Sequence, residues 1–308
     1  MRGQDGGVVS EPFRCAVASE ARDDLLAGSA STTRAFLLVE HPGPWGVTAL
    51  TDARLPDGLG TELKRRAAEA GAKVLLTRRP NGASKESGGV RVFAAHADHA
   101  APWLETTVLD RIEDAADLDL TALVEGRSLG LTPYDGPLVA VCTHGRHDAC
   151  CAERGRPVSQ ALEEAFPGET WEVSHLGGDR YAGNAVVLPR GLYLGRLTPE
   201  SAREAVRLLR AGEVPLEVLR GRSGFAPPLQ VAELALRRHV DERRLDGVRF
   251  VSRTRDGDRT EAVLAVDDRT YAVTVETLRG PDRALLTCRA DDESAVVRHR
   301  VTEIRYTG

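Results

Sequence analysis

Three thiols crowd the end of one strand, and this feature constrains the chain more than any other. Leu138–Val141 is a compact apolar run, Cys142 follows it directly, and Cys150 and Cys151 come soon after, with His144, His147 and Asp148 between them. Cys142–Arg154 reads as an irregular loop. Pro157 stands where a helix can begin, and Val158, Leu162 and Ala165 share one side of it. Trp171–Ser174 returns as a strand, and Ala185–Leu188 and Leu192–Leu194 bracket the turn at Pro189-Arg190-Gly191 as a hairpin. Thr198 is an N-cap for a helix opening at Pro199, with Ala202, Ala205, Val206 and Leu209 as its buried stripe. The order is βαββα.

Upstream, Thr33–Val39 reads as a buried strand that runs into a loop with two prolines and two glycines, EHPGPWG. Leu63, Ala67 and Ala70 share a face of a helix over 59–70, Gly71 stops it, and Lys73–Thr77 and Val90–Ala94 are further strands. Arg79–Ser87 is polar enough to be an exposed loop, and residues 111–136 read as a linker or shielding segment. Leu229–Val240 has helical spacing. From Val248 onward, alternating segments such as Thr270–Val275 and Ala295–Ile304, separated by turn residues, predict a small β-rich region. No internal repeat is evident.

Composition narrows the function. At 308 residues the chain can bury a large core without disulfide staples, and no apolar run approaches the roughly 20 residues of a membrane span. The first eleven residues lack the apolar stretch of a signal peptide, so they read as a frayed terminus and the expected compartment is the cytoplasm. A net charge of −5 with interspersed signs offers no basic stripe for phosphates, which argues against nucleic acid. Five cysteines, three of them clustered, indicate chemistry or metal rather than a disulfide framework. Soft thiolates select zinc, copper(I) or iron–sulfur clusters, and imidazole suits zinc and iron. A second half-site, His175-Leu-Gly-Gly-Asp179, also begins at a strand end, and its glycines let the backbone turn sharply beside a bulky group. Cys142, Cys151 and His175 are therefore the leading ligand candidates. His144, His147 and Cys150 are either further ligands or groups that orient ligands. Cys15 and Cys288 have no second donor nearby in sequence and read as small buried hydrophobes.

The C-x8-C spacing of Cys142 and Cys151, the H-x-G-G run at His175 and the Arg180-Tyr-Ala-Gly-Asn184 run resemble the sucrase/ferredoxin-like family. Phe36–Gly46 and the stretch from Gly221 to Gln230 extend the resemblance over about residues 15–240. It implies an α/β protein with a thioredoxin-like ferredoxin domain at 135–242, preceded by an α/β half-domain at 12–134 and followed by a β-rich region at 243–308. It also implies a [2Fe–2S] cluster on Cys142, Cys151 and His175, with Asp179 at a fourth position that relatives fill with histidine. His144, Cys150 or solvent are the alternatives there, because a carboxylate is a harder ligand for iron. An imidazole in place of a thiolate raises the reduction potential. No nucleotide fingerprint is present, so an external reductase and a redox acceptor protein are the expected partners.

Three other readings compete with the cluster. Cys2His with Asp or water suits zinc. Cys142 as a nucleophile resolved by Cys150 or Cys151 is thiol redox chemistry, although the usual C-x-x-C is absent. A partner-binding module would use the 40–46 and 221–228 loops around a structural metal or none. Sucrose hydrolysis has no support, since no carboxylate pair stands out among the 46 acidic residues. An electron carrier rather than a hydrolase is expected.

Overall fold

A computed structural model describes residues 12–80 and 88–308. The frayed-terminus reading of the first eleven residues, and residues 81–87 of the exposed-loop reading, lie outside the described residues. The first half runs α1 (Cys15–Ala21), β1 (Ala35–Glu40), α2 (Ala49–Asp52), α3 (Leu59–Ala70), β2 (Lys73–Arg78), β3 (Val90–His96), β4 (Trp103–Leu109), α4 (Leu120–Val124) and β5 (Thr132–Pro133). The second runs β6 (Leu138–Cys142), α5 (Ala149–Ala165), β7 (Thr170–Val173), β8 (Ala185–Leu188), β9 (Leu192–Leu194), α6 (Pro199–Arg210), β10 (Leu219–Arg222) and α7 (Pro227–Val240). The chain closes with β11 (Arg249–Asp256), β12 (Arg259–Val266), β13 (Arg269–Ala284) and β14 (Ser294–Tyr306).

The first ten strands form one mixed sheet in the order β10-β9-β8-β6-β7-β2-β1-β3-β4-β5, and the last four form a separate antiparallel meander. The large sheet lays down one arrangement twice. β1 is parallel to β2 and antiparallel to β3, which pairs antiparallel with β4. β6 is parallel to β7 and antiparallel to β8, which pairs antiparallel with β9. No residue pattern repeats with it, which is why the sequence alone shows no repeat. The halves meet where β2 and β7 overlap at their C-terminal ends, Thr77 opposite Val173 and Arg78 opposite Glu172. Loops leaving both halves therefore converge near the middle of the sheet.

Period-two burial builds the core on both faces. Phe36, Leu38, Phe93, Leu138, Ala140, Cys142, Trp171 and Val186 share one cluster that spans the halves. The alternate residues face helices: Leu37, Val39 and Leu76 pack with Leu63 of α3, and Val139 and Val141 pack with Val158 of α5 and Val206 of α6. The 111–136 segment shields this core through Leu120 and Leu123 of α4, which Asp119 caps by accepting from the Ala122 amide at 2.9 Å. Helix α6 begins as its sequence predicts, with Thr198 Oγ1 accepting from the Ser201 amide at 3.2 Å and Pro199 in the first turn.

Helix α5 corrects one expectation. It begins at Ala149, not near Pro157, because the Asp148 carboxylate caps it by accepting from the Cys150 amide at 2.9 Å. Pro157 lies inside the helix. Cys150 and Cys151 thus sit in a helix's first turn and not in an irregular loop. Helix α7 packs against the four-stranded sheet through Leu229, Ala232 and Leu236, which meet Leu264, Val273 and Val275. No helix among the described residues is long and apolar enough to cross a membrane.

Candidate metal centre

Backbone contacts fix the two thiols against each other. The Cys142 amide donates to Asn184 O at 2.9 Å, and the Cys142 carbonyl lies so near Gly155 of α5 that a Cβ there would come within 2.1 Å of its oxygen. Gly155 therefore lets the first turns of α5 lie against the end of β6, and Cys151 comes to Cys142. After β7, His175 is followed by the turn at Gly177 and Gly178, which returns the chain so that Asp179 opens a short 3-10 turn over Asp179–Tyr181. Gly178 has φ +78°, and a Cβ on it would lie 2.2 Å from the Arg220 guanidinium. Buried Arg220 holds this turn, donating to Gly177 O, Asn184 Oδ1 and Ser29 Oγ at 3.0 Å each, while Asn184 Nδ2 donates to Gly178 O at 2.8 Å. Gly178→Ala is expected to cost about 1–3 kcal/mol, from the left-handed backbone and the displaced guanidinium, as read by urea unfolding.

Cys151, His175 and Asp179 converge. Cys151 Sγ donates to Asp179 Oδ1 at 3.2 Å, and His175 Nδ1 lies 3.0 Å from the same oxygen. That approach lacks hydrogen-bond direction, so His175 Nδ1 is a buried nitrogen without a hydrogen-bond partner. His147 joins them, with Nε2 at 3.8 Å from Asp179 Oδ2 and its ring centroid 3.8 Å from that of His175. The ligand atoms of His147, His175 and Asp179 all lie within 4.8 Å of one another. Asp179 is buried at 2% side-chain exposure, whereas the two imidazoles are about one-third exposed (33% and 31%), so they form the solvent edge of the site.

The charges are mutually adjusted. The thiol of Cys151 and the imidazole of His175 stabilise a Cys142 thiolate against its burial, holding its pKa well below the usual thiol value, and Cys151 moves up in return. Burial alone would lower His175, but Asp179 and Cys142 outweigh it and push it up to about 9. Burial likewise opposes ionisation of Asp179, and His175 and Cys151 still keep its carboxyl below the ordinary value. Half-buried Lys73 donates to Leu176 O at 2.7 Å beside the site, and burial pushes it down to about 8.

Of the other candidates, His144 has Nε2 at 2.9 Å from Gly46 O and its ring edge-on to Trp45 and stacked on His147 at 5.5 Å, while its Nδ1 is, like that of His175, buried without a hydrogen-bond partner. His147 Nδ1 lies 3.1 Å from Val47 O. Gly46 and Val47, at the end of the first half's 40–46 loop, thus hold His144 and His147 of the second. Trp45 and Phe225, the aromatics of the two loops offered as partner contacts, are both buried. Cys150 points in a different direction from α5 than Cys151 does. There its Sγ is 3.4 Å from Cys288 Sγ, Cys288 Sγ is 3.6 Å from Cys15 Sγ, and Cys15 Sγ is 3.5 Å from Asp148 Oδ2. The expectation that Cys15 and Cys288 stand alone is thereby corrected: chain segments 273 residues apart bring them together, and no local pattern could signal it. Asp148 was also missed as a site residue, although its place before the helix is a legible cap signal.

Fold and site define a mixed α/β protein with two buried thiols, imidazoles and a carboxylate gathered at strand ends in the middle of a ten-stranded sheet. The chain belongs to the sucrase/ferredoxin-like family, whose model matches residues 26–221, more than half of its length. Among curated proteins it is similar to "Altered inheritance of mitochondria protein 32" of Meyerozyma guilliermondii, 32% identical over 79 residues that make up 22% of this chain and 28% of that protein. It is similar also to the protein of the same name from Clavispora lusitaniae, 30% identical over 101 residues, 30% of this chain and 37% of that one. The matched region thus spans about a third of these relatives' length. No solved structure matches.

Proposed function

We propose that Cys142, Cys151 and His175, with a fourth ligand from Asp179 or His147, hold a [2Fe–2S] cluster, and that the protein is an electron carrier. The observation that carries this reading is the convergence of the buried, mutually adjusted thiols of Cys142 and Cys151 with His175, Cys151 Sγ donating to Asp179 Oδ1 and His175 Nδ1 lying 3.0 Å from the same oxygen. The donor types fit, since thiolate and imidazole are the ligands that suit cluster iron. The order of β6, α5, β7, β8, β9 and α6, with a parallel first pair and an antiparallel second, supports a thioredoxin-like reading of 135–242, with 12–134 and 243–308 as flanking units. When bound, the cluster supplies one-electron transfer. The residues around it do the rest: Arg220 and Asn184 hold the 177–184 turn, Gly155 sets the distance of Cys151 from Cys142, and Asp179 orients His175 and stabilises its proton. The exposed edges of His147 and His175 are where a reductase and an acceptor protein would dock, and where a proton can follow the electron. Free thiols suit an intracellular, reducing compartment such as the cytoplasm.

Anaerobically purified protein is expected to show visible charge-transfer absorption, equal iron and acid-labile sulfide, and an EPR signal after dithionite. A colourless, EPR-silent protein after reconstitution with iron and sulfide removes the reading. A second reading, one zinc on His147, His175 and Asp179, is favoured by the mutual closeness of those three donors. Zinc without sulfide, lost on His147→Ala, would establish it instead.

A further inference from the structure

We propose that Cys15, Asp148, Cys150 and Cys288 form a second metal site, a structural one that takes a single zinc ion. It is separate from the Cys142 centre and draws on three distant segments: the start of α1, the first turn of α5, and the loop between β13 and β14.

The donors have the number and closeness of a closed four-coordinate site. The four ligand atoms all lie within 4.8 Å of one another. Zinc with Zn–S of about 2.3 Å and Zn–O of about 2.0 Å has tetrahedral edges of about 3.8 Å between sulfurs and about 3.5 Å between sulfur and oxygen. The edges found are 3.4 Å for Cys150 to Cys288, 3.6 Å for Cys288 to Cys15, and 3.5 Å for Cys15 to Asp148 Oδ2. Three thiols and one carboxylate complete a four-donor set with no open position, as structural zinc requires and as catalytic zinc does not.

Burial supplies an independent reason. Cys15, Cys150 and Asp148 are 0%, 1% and 1% exposed. Asp148 makes no ion pair with any Lys, Arg or His among the described residues, although a buried carboxylate is ordinarily paired with a cation or bound to a metal. Its oxygens instead accept from the amides of Cys150 at 2.9 Å and Cys288 at 2.6 Å. The Cys15 amide points to Cys288 Sγ at 3.4 Å. Backbone donors thus already orient a carboxylate and a sulfur around a common point, the kind of outer support that holds ligands in place. Loading breaks the bonds of hydrated zinc to its waters, forms three Zn–S bonds and one Zn–O bond, and releases the waters and the protons still on the three thiols, with no change in oxidation state.

The site explains why Cys150 and Cys151 are adjacent. Consecutive residues in a helix's first turn point in different directions, so Cys151 reaches the Cys142 centre while Cys150 reaches this one. Zinc here would pin the turn that presents Cys151, and would clamp the C-terminal sheet onto it through Cys288.

Metal analysis of the full chain, expressed with zinc, tests this. About one zinc per chain is expected in the wild type and in a Cys142→Ala/His175→Ala variant, falling at least tenfold in Cys288→Ala and in Cys15→Ala, with recovery in Cys288→His. Cobalt in place of zinc should give thiolate-to-cobalt charge transfer that Cys288→Ala abolishes and Cys142→Ala/His175→Ala does not. Circular dichroism identifies any variant that fails to fold, and Cys288 on its loop is the position where replacement disturbs the core least. Zinc retained in folded Cys288→Ala, zinc lost only with the Cys142 centre, a wild type without zinc, or an intact mass showing a Cys150–Cys288 disulfide would each overturn the proposal. Because the Cys142 centre is read by sulfide and EPR, either assignment can fail without the other.

Discussion

Glu233→Ala is expected to destabilise the fold by about 3–5 kcal/mol, read as a lower urea midpoint at unchanged slope, because it strands two arginines in the interior. Glu233 on α7 lies 3.2 Å from the guanidinium of Arg222 on β10 and 3.0 Å from that of Arg237 one turn on, and the three side chains are 4%, 2% and 0% exposed. Arg237 also donates to Arg244 O at 2.8 Å, so the cluster ties α7 to the connection leading into the four-stranded sheet. Burial opposes ionisation of Glu233, but Arg222 and Arg237 outweigh it and hold its carboxyl at about 2. A depressed carboxylate contributes stability that is complete above its unfolded value of about 4.3 and is lost as pH falls through about 2. The wild type should therefore lose this contribution only below pH 4, and Glu233→Ala should show a flatter acid limb. Glu233→Gln keeps hydrogen bonds to both guanidiniums and should lose less than alanine does. Since Cys288 is on the loop that joins β13 to β14 of the sheet α7 packs against, a folded Glu233→Ala chain should also hold zinc less tightly.

Local signals were legible and long-range ones were not. The capped start of α6, the stop at Gly71 and the apolar strands depend on neighbours a few residues apart, and Cys142 and His175 stand at the ends of strands that the βαββα order puts side by side. Legibility failed where the deciding partner lies far along the chain. His147 and His144 are equivalent in sequence; both touch the first half, His144 Nε2 at Gly46 O and His147 Nδ1 at Val47 O, but only His147 also brings its other nitrogen to Asp179. The start of α5 is misplaced in sequence because Pro157 is a strong helix-start signal, whereas Asp148 sits among thiols and imidazoles that read as an irregular loop. The continuous sheet was hidden because β2 and β7 pair through only two residue pairs, Thr77 with Val173 and Arg78 with Glu172.

In the metal-free chain the His175 imidazole is expected to titrate near pH 9, which NMR of the ring protons can follow. Burial favours the neutral ring, but Asp179 and Cys142 hold the proton on it and raise its pKa to about 9. A ligating histidine must offer a bare nitrogen, so below pH 9 a proton has to leave before His175 can bind iron or zinc. The His175 proton alone then weakens apparent metal affinity about tenfold for each pH unit below 9, and the proton on the raised Cys151 thiol steepens the dependence further. Asp179→Asn removes the first of the two groups that raise the pKa, so the ring becomes neutral at lower pH. If Asp179 only orients His175, the Asn variant loads at pH 7 at least as well as the wild type and its pH dependence shifts to lower pH. If Asp179 is itself the fourth ligand, the variant loads poorly at every pH, and His147→Ala is then the milder change. Loading that is insensitive to pH between 7 and 9 in the wild type would show that His175 is not a ligand, and would leave Cys142 and Cys151 as a thiol pair whose chemistry is their own.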